Sequence, residues 1–326
     1  MIRTFKVVVF CFLFPWILLA GEPVQTPEDI DRLRFFTSLL DQTQQKDKPQ
    51  GKIPQVLHWI WLGPKPFPQE SIAKLKGWID HHPDWTVKFW TDLAPSAHDD
   101  RMQIQRFDQF PLGELKDLYY LCDNFGERSQ ILRYAILLSE GGIYVDHDMI
   151  CIQALDSLQQ NYDFFCGLEP IGPTILSSSV NPSPHLLAAT PQHPILESAT
   201  AWLMNQWHRL EMQYPGSDPS SILNRAVHRS FYALSAGIES ASTLSERKDA
   251  VFPPHYFSLP KGKDAVFALH QHCGSWYIKE DVKDLKIQQL FASIKREHNQ
   301  TYWLALALIV INLCMGAYWL RRERRT

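Results

Sequence analysis

The stretch Arg128–Ile150, RSQILRYAILLSEGGIYVDHDMI, constrains the fold more than any other part of this chain. Ile131, Leu132, Ala135, Ile136 and Leu138 recur at helical spacing, Gly141-Gly142 supplies a turn, and Ile143-Tyr144-Val145 is a β-rich run that enters Asp146-His147-Asp148. Alternation along a strand would turn Asp146 and Asp148 to one face and His147 to the other. Two hard oxygen ligands can then share one cation. Mg²⁺ and Mn²⁺ typically take one or two carboxylates and complete their shell with water and phosphate oxygens, so the pattern suits a diphosphate-bearing ligand. Spacing alone is weak evidence, because Asp29-Ile30-Asp31 has it in a polar segment with no strand before it.

The rest of the chain repeats the alternation of helix and strand. Helices are expected near Gln69–His81, Gly113–Asp123, Arg128–Glu140 and Pro194–Met212, and strands near Val56, Thr86, Ile143, Asp163 and Val266. That order predicts an α/β fold with a mainly parallel central sheet. A chain of 326 residues, 45% hydrophobic with net charge -3, is large enough for one such domain and lacks the basic surplus of a nucleic-acid binder. Residues 22–50 are polar and read as a stalk carrying a short helix over Pro27–Leu40. Residues 51–278 then form the domain, and 279–301 a charged connecting helix.

The two ends point to a membrane. Arg3 and Lys6 precede the apolar run Val7–Ala20, the layout of a signal peptide or signal anchor over residues 1–21. Tyr302–Leu320 has only Asn312 strongly polar and is long enough to span as a helix, with Tyr302, Trp303, Tyr318 and Trp319 at its edges. Arg321, Arg322, Arg324 and Arg325 follow in residues 321–326, and the positive-inside bias places them in the cytosol and the domain outside it. Outside the apolar ends lie Cys122, Cys151, Cys166 and Cys273, which allow three pairings that sequence does not choose among.

Five pieces in order resemble a known family: IPQVLHWIWLG from Ile53, WIDHHPDWTVKFWTD from Trp78, the helix with GGIYVDHD, ATPQHPIL from Ala189, and HQHCGSW from His270. The chain resembles the DXD-type glycosyltransferases that include the inositol-phosphoceramide mannosyltransferases and the large clostridial glucosylating toxins. The likeness runs from about Ile53 to Trp276. It implies a GT-A-like nucleotide-sugar-binding domain. It also implies Mn²⁺ or Mg²⁺ on Asp148 and Asp146 with Ser275 nearby, and a retaining transfer from GDP-mannose or a UDP-hexose to a lipid or glycan acceptor. In that resemblance Trp61 stacks on the donor base, Arg133 contacts the donor sugar or its phosphates, and Ser275 and Trp276 cover the diphosphate.

Each role has a plainer alternative. Trp59 and Trp61 suit core packing, with alternation expected to leave one of them at the site. Arg133 suits a salt bridge as well as a phosphate. Glu169, in the GLEP turn, is an acceptor-side candidate or an ordinary turn carboxylate. His270 and His272 are metal-ligand candidates or structural histidines. Where the family has Ser-Asp-x-x-Arg, this chain has Ser129-Gln130-Ile131-Leu132-Arg133. Gln130 keeps hydrogen-bonding capacity toward a donor sugar and loses the charge. That loss leaves two rivals to a membrane-anchored glycosyltransferase of a Golgi-like lumen or other extracytoplasmic site. One is a non-catalytic nucleotide-sugar binder; the other is a metal-dependent phosphohydrolase.

Overall fold

The computed structural model describes residues 27–47, 49, 51–92, 99–122, 124–170, 179–242, 246–258 and 265–273. In chain order the elements are α1 (Pro27–Gln44), β1 (Val56–Trp61), α2 (Gln69–His81), β2 (Thr86–Thr91), β3 (Met102–Arg106), α3 (Lys116–Leu121), α4 (Phe125–Glu140), β4 (Gly142–Val145) and β5 (Met149–Cys151). They continue with α5 (Asp156–Asn161), β6 (Phe164–Leu168), β7 (Pro182–Ala189), α6 (Pro194–Gln213), α7 (Pro219–Val227), α8 (Ala233–Ala241), β8 (Asp249–Phe252) and β9 (Ala268–His270).

Seven strands form one sheet in the order β3-β2-β1-β4-β7-β6-β8. The β1–β2, β2–β3, β1–β4 and β6–β8 pairs are parallel, and β7 runs antiparallel to both β4 and β6. The expectation of a mainly parallel α/β sheet therefore holds, with β7 as the reversed strand. Its prolines hid it from the pattern, because proline cannot donate to a ladder. Pro182 and Pro184 are tolerated because β4 pairs only with Leu186–Ala189, leaving that side of the earlier residues without a strand partner.

Strand alternation divides the core into two layers. Leu57, Trp59 and Trp61 of β1 and Ile143 and Val145 of β4 join Leu75, Trp78 and Ile79 of α2. On the other face Ile60 and Tyr144 join Ile131, Leu132 and Ala135 of α4 and Leu203 and Trp207 of α6. Helices cover both faces of the sheet, and its strands are largely buried except for the edge strand β3, where only Met102 is buried.

The segment read as a stalk helix extends to Gln44 and packs on the domain. Phe36 and Leu39 are buried in the core layer with α4 and α6, Thr43 donates to the Asp249 carbonyl at 2.7 Å, and Asp29 accepts from the Val180 amide at 3.0 Å. Of the polar residues that suggested a stalk, Glu28, Asp31 and Gln42 are exposed, while Asp29 and Thr43 are buried in the contact. Among the described residues no helix is long and apolar enough to cross a membrane. The segments 1–21, 279–301, 302–320 and 321–326 lie outside the described residues, as do Ser275 and Trp276. No disulfide forms among Cys122, Cys151, Cys166 and Cys273.

Candidate metal and donor site

The site begins at the turn between α4 and β4. The Asn124 side chain caps α4 by accepting from the Gly126 and Glu127 amides, and Gly141 and Gly142 end it with φ of +65° and +96°. A side chain at Gly142 would lie 2.8 Å from the Val56 carbonyl and 2.9 Å from His58 Nε2. The double glycine lets the chain reverse tightly against β1. His58 seals the corner: its Nε2 hydrogen-bonds the Gly141 carbonyl at 2.9 Å, while its Nδ1 accepts from the Trp90 indole at 3.2 Å. Burial pushes this imidazole down to about 3, so it is neutral near pH 7.

β4 stops at Val145, and Asp146-His147-Asp148 is a turn into β5. The expected strand alternation over these residues is replaced by turn geometry that achieves the same separation. His147 points toward α2, where its Nδ1 lies 2.8 Å from Ser71 Oγ and its ring packs on Trp61 at 5.0 Å. The two aspartates face the other way, toward His270.

That histidine arrives through strand pairing. β9 runs antiparallel to β5 with His270 opposite Met149, one residue beyond Asp148. His270 Nε2 lies 3.1 Å from Asp148 Oδ1, and Asp148 Oδ2 accepts from the Cys273 amide at 2.7 Å. Burial opposes the charge on Asp148, but the hydrogen bond and charge of His270, with His147 and the Cys273 amide, hold it well below the carboxylate range. In turn, His270 is desolvated, yet Asp148 and then Asp146 and Glu169 raise its pKa above the usual value.

Asp146 is held from behind. Its Oδ1 accepts from Arg133 Nη2 at 3.0 Å and from the Tyr144 hydroxyl at 2.5 Å, and the guanidinium lies 3.7 Å over the Tyr144 ring. Arg133 Nη1 donates to the Pro184 carbonyl. The guanidinium is buried and paired with Asp146, which is the salt-bridge alternative expected for it. Asp146 Oδ2 faces His270 Nε2 at 4.0 Å and His185 Nε2 at 3.9 Å. One ligand atom from each of Asp146, Asp148 and His270 lies within 4.8 Å of the others. The two carboxylates are a donor pair that fits a divalent cation such as Mn²⁺ or Mg²⁺, with His270 hydrogen-bonded to Asp148 beside them.

The other anticipated residues distribute unevenly. Trp59 and Trp61 share one face of β1, as residues two apart must. Trp59 packs edge-on against Trp78, and Trp61 lies at the strand end against Phe67 and His147. Position along the strand, not alternation, separates the core tryptophan from the one beside the site. Trp61 is itself buried, its indole donating to the Lys65 carbonyl at 2.8 Å. Gln130 lies on α4 one turn before Arg133, and its Oε1 is buried without a hydrogen-bond partner. Glu169 is a buried carboxylate beyond the end of β6, 3.5 Å from His185 Nδ1. His185 and Tyr144 were not anticipated. Tyr144 reads as an ordinary strand aromatic, and His185 sits in the proline-masked β7, where antiparallel pairing delivers its carbonyl to the Asp146 amide at 2.9 Å.

Residues 68–165, which contain α4, the double glycine and both aspartates, match the protein family described as "Glycosyltransferase sugar-binding region containing DXD motif". The chain is 32% identical over 109 residues to inositol phosphoceramide mannosyltransferase 3 of Schizosaccharomyces pombe, covering 32% of this chain and 27% of the relative. It is 28% identical over 200 residues to inositol phosphoceramide mannosyltransferase 1 of the same organism, covering 56% and 53%. The chain thus spans about a quarter to a half of these relatives' lengths. Among solved structures it is similar to PaToxG glycosyltransferase, with 18% identity, TM-score 0.41, and coverage of 67% of this chain and 88% of that one. Within the matched residues, the acidic pair is placed by the Gly-Gly turn and by β5–β9 pairing.

Proposed function

We propose that this protein is a glycosyltransferase that moves a hexose from a nucleotide sugar to a hydroxyl of a lipid or glycan. The observation that carries this reading is the convergence of Asp146, Asp148 and His270 inside the matched DXD region. Names of the relatives favour a mannosyl donor such as GDP-mannose and an inositol-phosphoceramide-like acceptor, with a UDP-hexose as the alternative donor. The apolar segments 1–21 and 302–320 would hold the domain at a membrane where such a lipid resides.

Asp146 and Asp148 would hold Mn²⁺ or Mg²⁺, with His270 supporting Asp148 through Nε2 and Ser275 as a further candidate ligand. When bound, the cation supplies positive charge against the diphosphate that leaves the anomeric carbon. Arg133 and Tyr144 fix Asp146 Oδ1 and leave Oδ2 toward the site, so Arg133 acts as a positioning residue for the aspartate. Trp61 would flank the nucleotide base, and Ser275 and Trp276 would close over the diphosphate. Retention follows if the acceptor oxygen bonds the anomeric carbon on the face that the diphosphate leaves. Glu169, buried among histidines, serves the site as a fixed negative charge more readily than as an exposed acceptor contact.

A second reading is a nucleotide-sugar binder without turnover. Gln130 favours it specifically, because a buried, unpartnered amide oxygen can contact a ligand while lacking a carboxylate's charge. The test is nucleotide release by the purified full chain with Mn²⁺ and a panel of UDP- and GDP-sugars, beside Asp146→Asn and Asp148→Asn. Release from one donor, lost in both variants, is expected. Metal-dependent donor binding with no release, with lipid acceptor present, would establish the binder instead.

A further inference from the structure

Three imidazoles form a second cluster on the far side of His270. One ring nitrogen from each of His185, His270 and His272 lies within 4.8 Å of the others. The His270 ring is central, with its centroid 3.9 Å from that of His185 and 4.0 Å from that of His272. These residues come from β7, β9 and the segment after β9, so the packing results from the fold and not from a local run of sequence.

Two buried atoms in the cluster lack hydrogen-bond partners: His270 Nδ1 and Glu169 Oε2. Their residues are only 6% and 5% exposed. A buried polar atom left unpaired is costly, so a ligand that pairs with it is favoured. The tautomer at His270 follows from its surroundings. Asp148 Oδ1, 3.1 Å from Nε2, accepts from a protonated Nε2, so Nδ1 is the ring nitrogen open to a cation. His185 has a parallel arrangement: Nδ1 lies 2.8 Å from Ser183 Oγ and 3.5 Å from Glu169 Oε2, leaving Nε2. One ring nitrogen oriented by a side-chain oxygen and the other directed at a cation is the usual support of a metal-bound histidine. His272 adds the third imidazole, with Nδ1 3.8 Å from Glu169 Oε1.

We infer that His185, His270 and His272, with Glu169 as countercharge, form a second cation site beside the one at Asp146 and Asp148. The chemistry differs between the two. Carboxylates and phosphate oxygens suit Mg²⁺ or Mn²⁺, whereas three imidazole nitrogens select a borderline-soft ion of the Zn²⁺ class. Three histidines leave a fourth position on Zn²⁺ for water or an oxygen ligand. His270 touches both sites, through Nε2 to Asp148 and Nδ1 to the cluster.

The test is Co²⁺ binding to the full chain after chelator treatment, read by the visible absorption of four-coordinate Co²⁺. The expected result is one four-coordinate Co²⁺ per chain, displaced by Zn²⁺, with that spectrum kept in Asp146→Asn. His185→Ala and His272→Ala should each weaken binding at least about tenfold, the scale seen for losing even a supporting partner. The His272 side chain is 46% exposed, so the His272→Ala variant reads metal binding and not folding. No four-coordinate spectrum in the natural protein would overturn the inference. So would a spectrum that survives both histidine variants, or one lost in Asp146→Asn and kept in them. Donor turnover is a separate readout, so failure of this site leaves the proposal at Asp146 and Asp148 to its own test.

Discussion

Arg133 shows how one buried side chain can decide whether a carboxylate is useful. Its guanidinium divides between the Pro184 carbonyl, Asp146 Oδ1 and the face of Tyr144. Lysine keeps the charge but not the planar fork. Arg133→Lys and Arg133→Met should therefore both lower nucleotide release by at least about a hundredfold, a loss typical of removing a group that organises charge at a reacting centre. Turnover within tenfold of the natural protein in Arg133→Lys would mean that charge alone suffices. His58 makes the opposite use of burial. In the window between its ordinary value of 6.5 and about 3, the unfolded chain takes up a proton that the folded chain refuses. Stability thus falls as pH drops through that window, by about 3 kcal/mol at pH 4.5 from this residue. Urea denaturation at pH 7 and pH 4.5 checks it: His58→Gln, which keeps both hydrogen bonds and does not titrate, should lose less on acidification than the natural chain, and an equal loss would refute the assignment. At this scale the sequence exposed Asp146, Asp148 and Arg133 because a turn, a strand and two acids are adjacent in the chain. It concealed Tyr144, His185 and the placement of His270, which depend on pairing between segments up to 122 residues apart.

The α4–turn–β4 unit gives the acidic pair its position, and its geometry rests on glycine. A Cβ at Gly142 would meet both the Val56 carbonyl and the His58 ring below 3.0 Å, at a φ of +96° that L side chains avoid. At Gly141 it would meet Pro191 and the Ala189 carbonyl just as closely. Gly142→Ala should cost more than about 2 kcal/mol, combining backbone strain with a clash that cannot relax against β1. Asn124→Ala, which removes only the α4 cap, should cost about 1 kcal/mol. Thermal unfolding of the two variants separates these cases, and a Gly142→Ala protein as stable as Asn124→Ala would show that β1 can move aside. This element was legible because its signals are local: helical spacing, a double glycine and β-branched residues. β3, β5, β7 and β8 were not, for distinct reasons. Met102–Arg106 is polar at alternate positions without turn residues of its own, Pro182 and Pro184 mask β7, and Met149–Cys151 and Asp249–Phe252 are too short for periodicity to register.

Across the whole molecule, the sheet joins two halves with different tasks. β1, β2 and β3 form a parallel half that presents Trp61, while β4, β7, β6 and β8 carry the aspartates, His185 and Glu169. α1 braces the second half from a distance in sequence. It spans from Asp29, bonded to the Val180 amide, through Phe36 to Thr43, bonded to the Asp249 carbonyl. Val180 leads into β7 and Asp249 opens β8, so α1 ties together the strands that flank β6. Composition could not reveal this, because a helix with one narrow apolar stripe has the same overall polarity as a solvated stalk. The two readings differ in energy. In a stalk, Phe36→Ala would change stability by no more than about 0.5 kcal/mol. As a core residue only 1% exposed, Phe36 should cost about 3–5 kcal/mol on truncation, the range for a buried aromatic. Denaturant unfolding of the full chain decides between them, with exposed Leu33 on the same helix as the control. Because β7 also carries His185, a destabilised α1 contact should weaken Co²⁺ binding at the histidine cluster as well as the fold. The metal readout and the unfolding midpoint should therefore move together in Phe36→Ala and stay unchanged in Leu33→Ala.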